Sequence, residues 1–141
     1  MTTPTPKLRL LFVCVENSNR SQMAQAFARI LGGDAVEAFS AGSRPSGKVN
    51  PKAVEAMREL GYDLTTHESK SLDALPAVRF DAAVTMGCGD ACPHVAAKLR
   101  DDWQIPDPRN MPPEEFRVVR DLVREKVKAL IERLQRSRGT P

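Results

Sequence analysis

Residues 8–21, LRLLFVCVENSNRS, decide the fold of this chain. Residues 8–13 form a nearly continuous apolar run, which is typical of a strand buried on both faces of a parallel sheet. From about residue 21 to residue 31 the apolar positions recur with the period of a helix. The stretch therefore predicts a strand, a short loop and a helix, and its loop lies at the carboxyl end of the strand, where ligands bind in open α/β sheets.

The rest of the chain continues this alternation of strands and helices. Further strands are predicted at 35–40 and 80–86, with a short one near 103–105, and further helices at 51–60 and 113–134. Asn50-Pro51 is a strong helix start, because an N-cap residue precedes proline at the first helical position. The pattern predicts one α/β domain over 7–135, with a parallel sheet covered by helices on both faces, a disordered segment at 1–6 and a frayed end at 136–141.

Composition excludes several classes of protein. The chain has 141 residues, of which 41% are hydrophobic and 28% charged, the balance of a soluble globular domain. No apolar run approaches the roughly 20 residues of a membrane span, and the opening MTTPTPK has no apolar core of a signal peptide. A net charge of +3, dispersed among acids, does not indicate nucleic-acid binding. We expect a cytoplasmic monomer that contacts neither membrane nor nucleic acid.

The loop after the first strand predicts an oxyanion site. Cys14 and Arg20 lie six positions apart and can bracket a tetrahedral anion, with the guanidinium offering a planar fork. Backbone amides curled around the anion, together with the helix N-terminus, would stabilise both the anion and a Cys14 thiolate. Ser21 has two compatible roles, donation to the thiolate or capping of the helix. The predicted anion-binding residues are Val15, Glu16, Asn17, Ser18, Asn19 and Arg20.

This loop resembles the Cys-x5-Arg-Ser loop of the low-molecular-weight tyrosine phosphatase superfamily. Phosphatase chemistry leaves Cys88 and Cys92, in TMGCGDACPH, without a role. An odd number of cysteines in a chain without an export signal favours reactive or metal-binding thiols over structural disulfides. With RSQMAQAFAR at 20–29, SAG at 40–42 and NPKAVEAM at 50–57, these cysteines make nearly the whole chain similar to the thioredoxin-coupled arsenate reductases.

The resemblance implies a four-stranded parallel sheet and a thiol cascade. Cys14 would attack arsenate while Asp107, in IPDP, acts as general acid. Cys88 would attack Cys14 and release arsenite, and Cys92 would then attack Cys88 and carry the disulfide to an external reductant. The role would be arsenic detoxification, with phosphate or sulfate as substrate analogues and no bound cofactor.

Thioredoxin is the reductant that the resemblance favours. The resolving cysteines are separated by three residues, whereas the family often has six, so a low-molecular-weight thiol with a glutaredoxin-type partner stays open. Because Gly87 and Gly89 weaken any helix around Cys88, we expect segment 87–95 to rearrange between redox states.

Several alternatives stay open. The chain could be a low-molecular-weight tyrosine phosphatase, although Arg109 follows Asp107-Pro108 where the phosphatases usually have tyrosine, which favours a small inorganic oxyanion. Cys88 and Cys92 could be loop thiols without function or could form a zinc site with His94 and His67, and Asp107 could be a plain turn residue. We predict no metal site.

Two further features depart from the family. The positions that hold potassium in some members correspond to Asn17, Gln25, Ser40 and Lys70, so two carboxylates are missing and an ammonium is present. We infer that no potassium site exists and that Lys70 supplies positive charge. Glu16 is an unusual residue beside an anion, and we expect its side chain to point away from the site.

Overall fold

A computed structural model describes residues 7–86 and 97–139 of the chain, with side chains as far as residue 137. Cys88, Cys92 and His94 lie outside the described residues. The same holds for the whole segment 87–95, which is predicted to rearrange, and for the terminus 1–6.

Four strands and three α-helices make up the described fold. The strands are β1 (Leu8–Cys14), β2 (Val36–Gly42), β3 (Phe80–Thr85) and β4 (Ala97–Asp102). The helices are α1 (Arg20–Gly32), α2 (Pro51–Arg58) and α3 (Pro113–Gly139), and three short 3₁₀ helices span Gly33–Ala35, Leu64–Thr66 and Leu72–Ala74. All strand pairs are parallel, in the order β2-β1-β3-β4, so the predicted four-stranded parallel sheet is confirmed.

The two faces of the sheet are covered unequally. Alternate residues of β1, such as Leu10 and Phe12, pack in one large cluster with buried side chains of α1, α2 and α3. The intervening residues Leu11 and Val13 belong to a smaller cluster on the other face. Among the described residues, that second face is covered by the 3₁₀ helix Leu72–Ala74 and the loop that follows it. Because β1 is central and buried on both faces, its carboxyl end is held rigidly.

The start of α2 follows the local sequence. Asn50 accepts a hydrogen bond from the Lys52 amide on its side-chain oxygen at 2.9 Å, and Pro51 occupies the first turn. The predicted N-cap is therefore confirmed.

The predicted fourth strand is misplaced. It is found at Ala97–Asp102 and not at 103–105; its sequence AKLRDD is charged because it lies at the edge of the sheet, with most of its side chains partly or fully exposed. Trp103 and Ile105 are buried just beyond the strand, and this burial explains their apolar signal.

Three smaller predictions also need correction. α3 continues to Gly139, so residues 136–139 are helical where a frayed end is predicted. Ile30 and Leu60, apolar residues of the helices predicted at 21–31 and 51–60 and therefore expected to face the core, are 47% and 45% exposed. Ile30 lies in the last turn of α1, and Leu60 lies just beyond the end of α2.

Candidate active site at the end of strand β1

The predicted anion loop borders a cavity of about 360 Å³ between β1 and α1. Cys14 ends β1 and is 3% exposed, while Arg20 begins α1 and is 9% exposed. Asp107, more than 80 residues further along the chain, borders the same cavity. The lining residues are Cys14, Val15, Glu16, Ser18, Asn19, Arg20 and Asp107.

Three backbone carbonyls of the anion loop accept hydrogen bonds from another segment of the chain. The connection after β2 supplies three donors: the Arg44 amide to Val15 at 2.8 Å, the Ser46 amide to Glu16 at 3.0 Å, and the Asn50 amide to Ser18 at 3.1 Å. Since the carbonyl and the N–H of a peptide unit point in opposite directions, carbonyls held outward turn the adjoining N–H groups toward the cavity. The wrapping segment therefore fixes the orientation of these peptide units, and amides turned toward the cavity would suit an anion.

Ser21 is positioned to donate to the thiol of Cys14. Its hydroxyl oxygen lies 2.8 Å from Cys14 Sγ and also accepts from Asn17 Nδ2 at 2.8 Å. The orientation of the Asn17 amide is set because its Oδ1 accepts from the Lys70 backbone N–H at 2.9 Å. With one lone pair of Ser21 engaged, its hydrogen is free to point at the sulfur and stabilise a thiolate. The N-cap of α1 is Asn19, so the alternative role of Ser21 as helix cap is wrong.

Arg20 and Asp107 face each other across the cavity. Arg20 Nη1 donates to the Ile105 carbonyl at 3.0 Å, which holds the guanidinium in place, and Nη2 lies 4.0 Å from Asp107 Oδ2. The Asp107 side chain is half-exposed, whereas that of Arg20 is nearly buried. Asp107 therefore lines the same cavity as Arg20, and its carboxylate remains accessible to water.

Glu16 lines the cavity and forms an ion pair with a partner that sequence reasoning missed. Its Oε1 lies 2.7 Å from Nη1 of Arg109, the residue that stands where the phosphatases usually have tyrosine. The backbone N–H of Arg109 donates to Asp107 Oδ1 at 3.1 Å. The two unusual residues thus form one ion pair, and Glu16 brings it to the edge of the cavity that it lines.

A buried network supports the loop from behind, and sequence reasoning missed it too. Gln22 Nε2 donates to the carbonyls of Asn17 and Glu68, each at 2.9 Å, so its Oε1 must accept from His67 Nδ1 at 2.9 Å. His67 Nε2 is then the acceptor for the Tyr62 hydroxyl at 2.6 Å. Burial, with smaller contributions from nearby cations, lowers the pKa of His67 to about 4 and keeps the ring neutral. Because both ring nitrogens are hydrogen-bonded to protein groups, His67 has no free nitrogen with which to bind a metal ion.

Gly42 is required by the close approach of β2 to the anion loop. A Cβ built on Gly42 would lie 2.6 Å from the Val15 carbonyl oxygen and 2.9 Å from the Asn17 nitrogen. The motif SAG contains this glycine, but its contact with the loop follows only from the pairing of Cys14 with Gly42 in the sheet.

The positions related to a potassium site are satisfied by protein hydrogen bonds. The Ser40 hydroxyl donates to Gln25 Oε1 at 2.5 Å, and Asn17 Oδ1 accepts from the Lys70 amide. The Lys70 ammonium donates to the Glu68 carbonyl at 3.2 Å, and burial lowers its pKa. Within 7–86 and 97–139, no three His, Cys, Asp or Glu side chains are grouped to hold a metal ion. In the same part of the chain, no helix combines the length and apolarity needed to cross a membrane.

Fold and loop together define the class: a single-domain α/β enzyme with a cysteine at the end of its first strand, directly before a loop suited to an oxyanion. The sequence model of the low molecular weight phosphotyrosine protein phosphatase family matches residues 9–139, and the chain belongs to this family.

Its relatives include proteins named as arsenate reductases. The chain is 36% identical to a glutaredoxin arsenate reductase of Synechocystis, over 89% of this chain and 98% of the relative. A solved structure of an arsenate reductase in the phosphate binding state superposes with a TM-score of 0.82 at 36% identity, covering 89% of this chain and 98% of that one. The structure of a thioredoxin-dependent arsenate reductase of Corynebacterium glutamicum superposes with a TM-score of 0.78 at 31% identity, covering 96% of this chain and 65% of that one. The resemblance inferred from the motifs is confirmed.

Proposed function

We propose that this protein is an arsenate reductase that contributes to arsenic detoxification. One observation carries the proposal: Cys14 Sγ sits at the floor of an oxyanion loop, 2.8 Å from the Ser21 hydroxyl, with Arg20 and Asp107 on the same cavity. The names of the relatives support arsenate as the oxyanion.

In the first step, the Cys14 thiolate attacks arsenic and a sulfur–arsenic bond forms. The bond from arsenic to one hydroxyl group breaks, and this hydroxyl takes a proton from Asp107 and leaves as water. Arsenic remains As(V) in this adduct. Arg20 and the loop amides neutralise the charge on the remaining oxygens.

In the second step, a Cys88 thiolate attacks Cys14 Sγ. The sulfur–arsenic electron pair passes to arsenic, which leaves as arsenite, As(III), after taking up protons, while two thiols have become the Cys14–Cys88 disulfide. The end of β3 supports this step, because the Met86 amide donates to the Val13 carbonyl at 2.9 Å. Cys88 follows Met86 by two positions in the sequence, and two residues of chain span at most about 7 Å, so attack on Cys14 is compatible with the chain length.

In the third step, Cys92 attacks Cys88, which restores the Cys14 thiolate and leaves a Cys88–Cys92 disulfide. An external dithiol takes up this disulfide and returns both cysteines to thiols. Thioredoxin is the reductant we favour. A low-molecular-weight thiol with a glutaredoxin is the alternative, since relatives of both types match this chain.

The competing function is phosphatase activity of the same site. The family description favours phosphatase activity. The residues beside the cavity argue against it, because Arg109, paired with Glu16, stands where an aromatic residue would pack beside an aryl substrate. We expect aryl phosphate hydrolysis to be weak.

A coupled assay tests the proposal. NADPH oxidation is followed with arsenate, thioredoxin and thioredoxin reductase, and in parallel with glutathione, glutaredoxin and glutathione reductase. Wild type should turn over in one of the two systems. Cys14→Ser, Cys88→Ser and Cys92→Ser should each stop turnover, and Cys92→Ser should still release one arsenite per enzyme.

Hydrolysis of para-nitrophenyl phosphate is the control reaction. It should require Cys14 but neither Cys88 nor Cys92. Efficient hydrolysis in wild type, without arsenate-dependent NADPH oxidation in either system, would select the phosphatase and refute the reductase.

A further inference from the structure

The ion pair between Glu16 and Arg109 joins two loops that meet only through tertiary structure. Glu16 is the second residue after the nucleophile, and Arg109 is the second residue after Asp107; their charged atoms are 2.7 Å apart although the residues are 93 positions apart. Both side chains are partly exposed, at 39% and 53%. The pair is therefore partly exposed, and one of its members, Glu16, lines the cavity.

Arg109 is also bonded to the carboxylate of Asp107. Its backbone N–H donates to Asp107 Oδ1 at 3.1 Å, while the other oxygen faces Arg20 at 4.0 Å. The position of the Arg109 backbone therefore affects the orientation of the Asp107 carboxylate. We propose that the Glu16–Arg109 pair, which we name the clasp, positions Asp107 over the anion loop for protonation of the leaving oxygen. This inference rests on the proposed function and assigns positioning residues, which do not touch the substrate.

A second anchor holds the same loop independently of the clasp. Lys52 Nζ donates to the carbonyls of Arg109 and Met111, at 3.0 and 3.2 Å. The Arg109 carbonyl that Lys52 holds belongs to the peptide after Arg109, whereas the N–H that bonds Asp107 belongs to the peptide before it. Loss of the clasp should therefore leave the loop attached and make only the orientation of the Asp107 carboxylate less fixed. Because an exposed ion pair couples its partners weakly, we expect roughly a two- to fivefold loss of rate.

The two members of the clasp have opposite effects on the charge of the site. Glu16→Gln leaves an uncompensated guanidinium near the anion and should lower KM, whereas Arg109→Gln leaves an uncompensated carboxylate and should raise it. A role in positioning Asp107 instead lowers the rate at saturating arsenate in both variants. The split between KM and rate therefore separates positioning from simple attraction of the anion.

The experiment measures single-turnover loss of thiols at saturating arsenate, in the full chain with reduced cysteines. Glu16→Gln, Arg109→Gln and the double variant should all lose the same two- to fivefold, because each removes the whole clasp. In the Asp107→Asn background, Glu16→Gln should cause no further loss. Arg58→Gln is the matched control, since Arg58 forms an exposed ion pair with Glu55 at 3.0 Å on α2 and should react as wild type does.

The outcomes separate the two proposals. If wild type loses no thiols on addition of arsenate, the proposed function fails and the clasp fails with it. If wild type reacts but Glu16→Gln reacts equally fast, or loses the same factor with and without the Asp107 carboxylate, the clasp alone is refuted.

Discussion

Replacing Gly42 by alanine tests whether β2 shapes the anion loop. The added methyl group would lie 2.6 Å from the Val15 carbonyl oxygen, 2.9 Å from the Asn17 nitrogen and 3.0 Å from Asn17 Cβ. Two of these three atoms are backbone atoms of the loop, so no side-chain rotation relieves the contact. Either the loop moves by roughly 0.4 Å or more, or β2 separates from β1.

The substitution should lower the free energy of unfolding by about 1–3 kcal/mol, the usual effect of overpacking in a well-packed region. An unfolding entropy of about 2.1 cal/mol/K per residue gives roughly 0.3 kcal/mol/K for a chain of this length. We therefore expect Gly42→Ala to lower Tm by about 3–10 °C. Since displaced amides no longer converge on the anion, phosphate or arsenate affinity should also fall, by roughly tenfold.

Scanning calorimetry and titration calorimetry with phosphate measure the two effects. Gly47→Ala is the matched control: Gly47 lies in the segment that wraps the loop, has φ +81°, and has nothing within 4 Å of a built Cβ. Its left-handed backbone should cost about 1 kcal/mol and leave anion affinity unchanged. Wild-type Tm and affinity in Gly42→Ala, or an equal loss of affinity in Gly47→Ala, would contradict a steric role for β2.

Two further predictions concern the residues behind the loop. Burial lowers the pKa of His67 from 6.5 to about 4, so the contribution of the neutral ring to stability is complete above pH 6.5 and is lost as the pH falls toward 4. Between pH 7 and pH 5, urea unfolding should show a larger decrease in the free energy of unfolding for wild type than for His67→Gln. Equal decreases in the two proteins would refute this. Because the oxygens of Asn17 and Gln25 already accept protein hydrogen bonds, Tm and activity should be the same in potassium chloride and sodium chloride; a selective gain in potassium would show that an ion displaces these bonds.

The sequence predicts an element well where the element carries its own periodicity. β1 and α1 were predictable because a central strand is apolar throughout and a packed helix repeats its apolar face. β4 was misplaced because an edge strand needs no apolar face: its residues are polar, while Trp103 and Ile105 beyond it are the buried ones. Patterns of hydrophobicity report burial, and burial coincides with a strand only inside the sheet.

In the candidate site too, residues close together in the sequence were predictable from the local pattern and pairs far apart were not. Cys14, Arg20 and Ser21 lie within eight residues, so their proximity was evident from local spacing. Asp107 was named from the resemblance to a family, since an Asp-Pro turn has no distinctive signal of its own. The pairing of Glu16 with Arg109 could not be predicted, because neither charge shows which distant partner it will meet.

By itself, the sequence determined the strand–loop–helix unit and the thiol and guanidinium that bracket its loop, because these depend on neighbours along the chain. Only the tertiary structure decided what surrounds that loop: the donors after β2 that turn its carbonyls outward, Gly42 against its backbone, and the neutral His67 behind it. Each of these contacts joins residues far apart in the chain, and their geometry exists only once the parallel sheet has brought the ends of its strands to one edge.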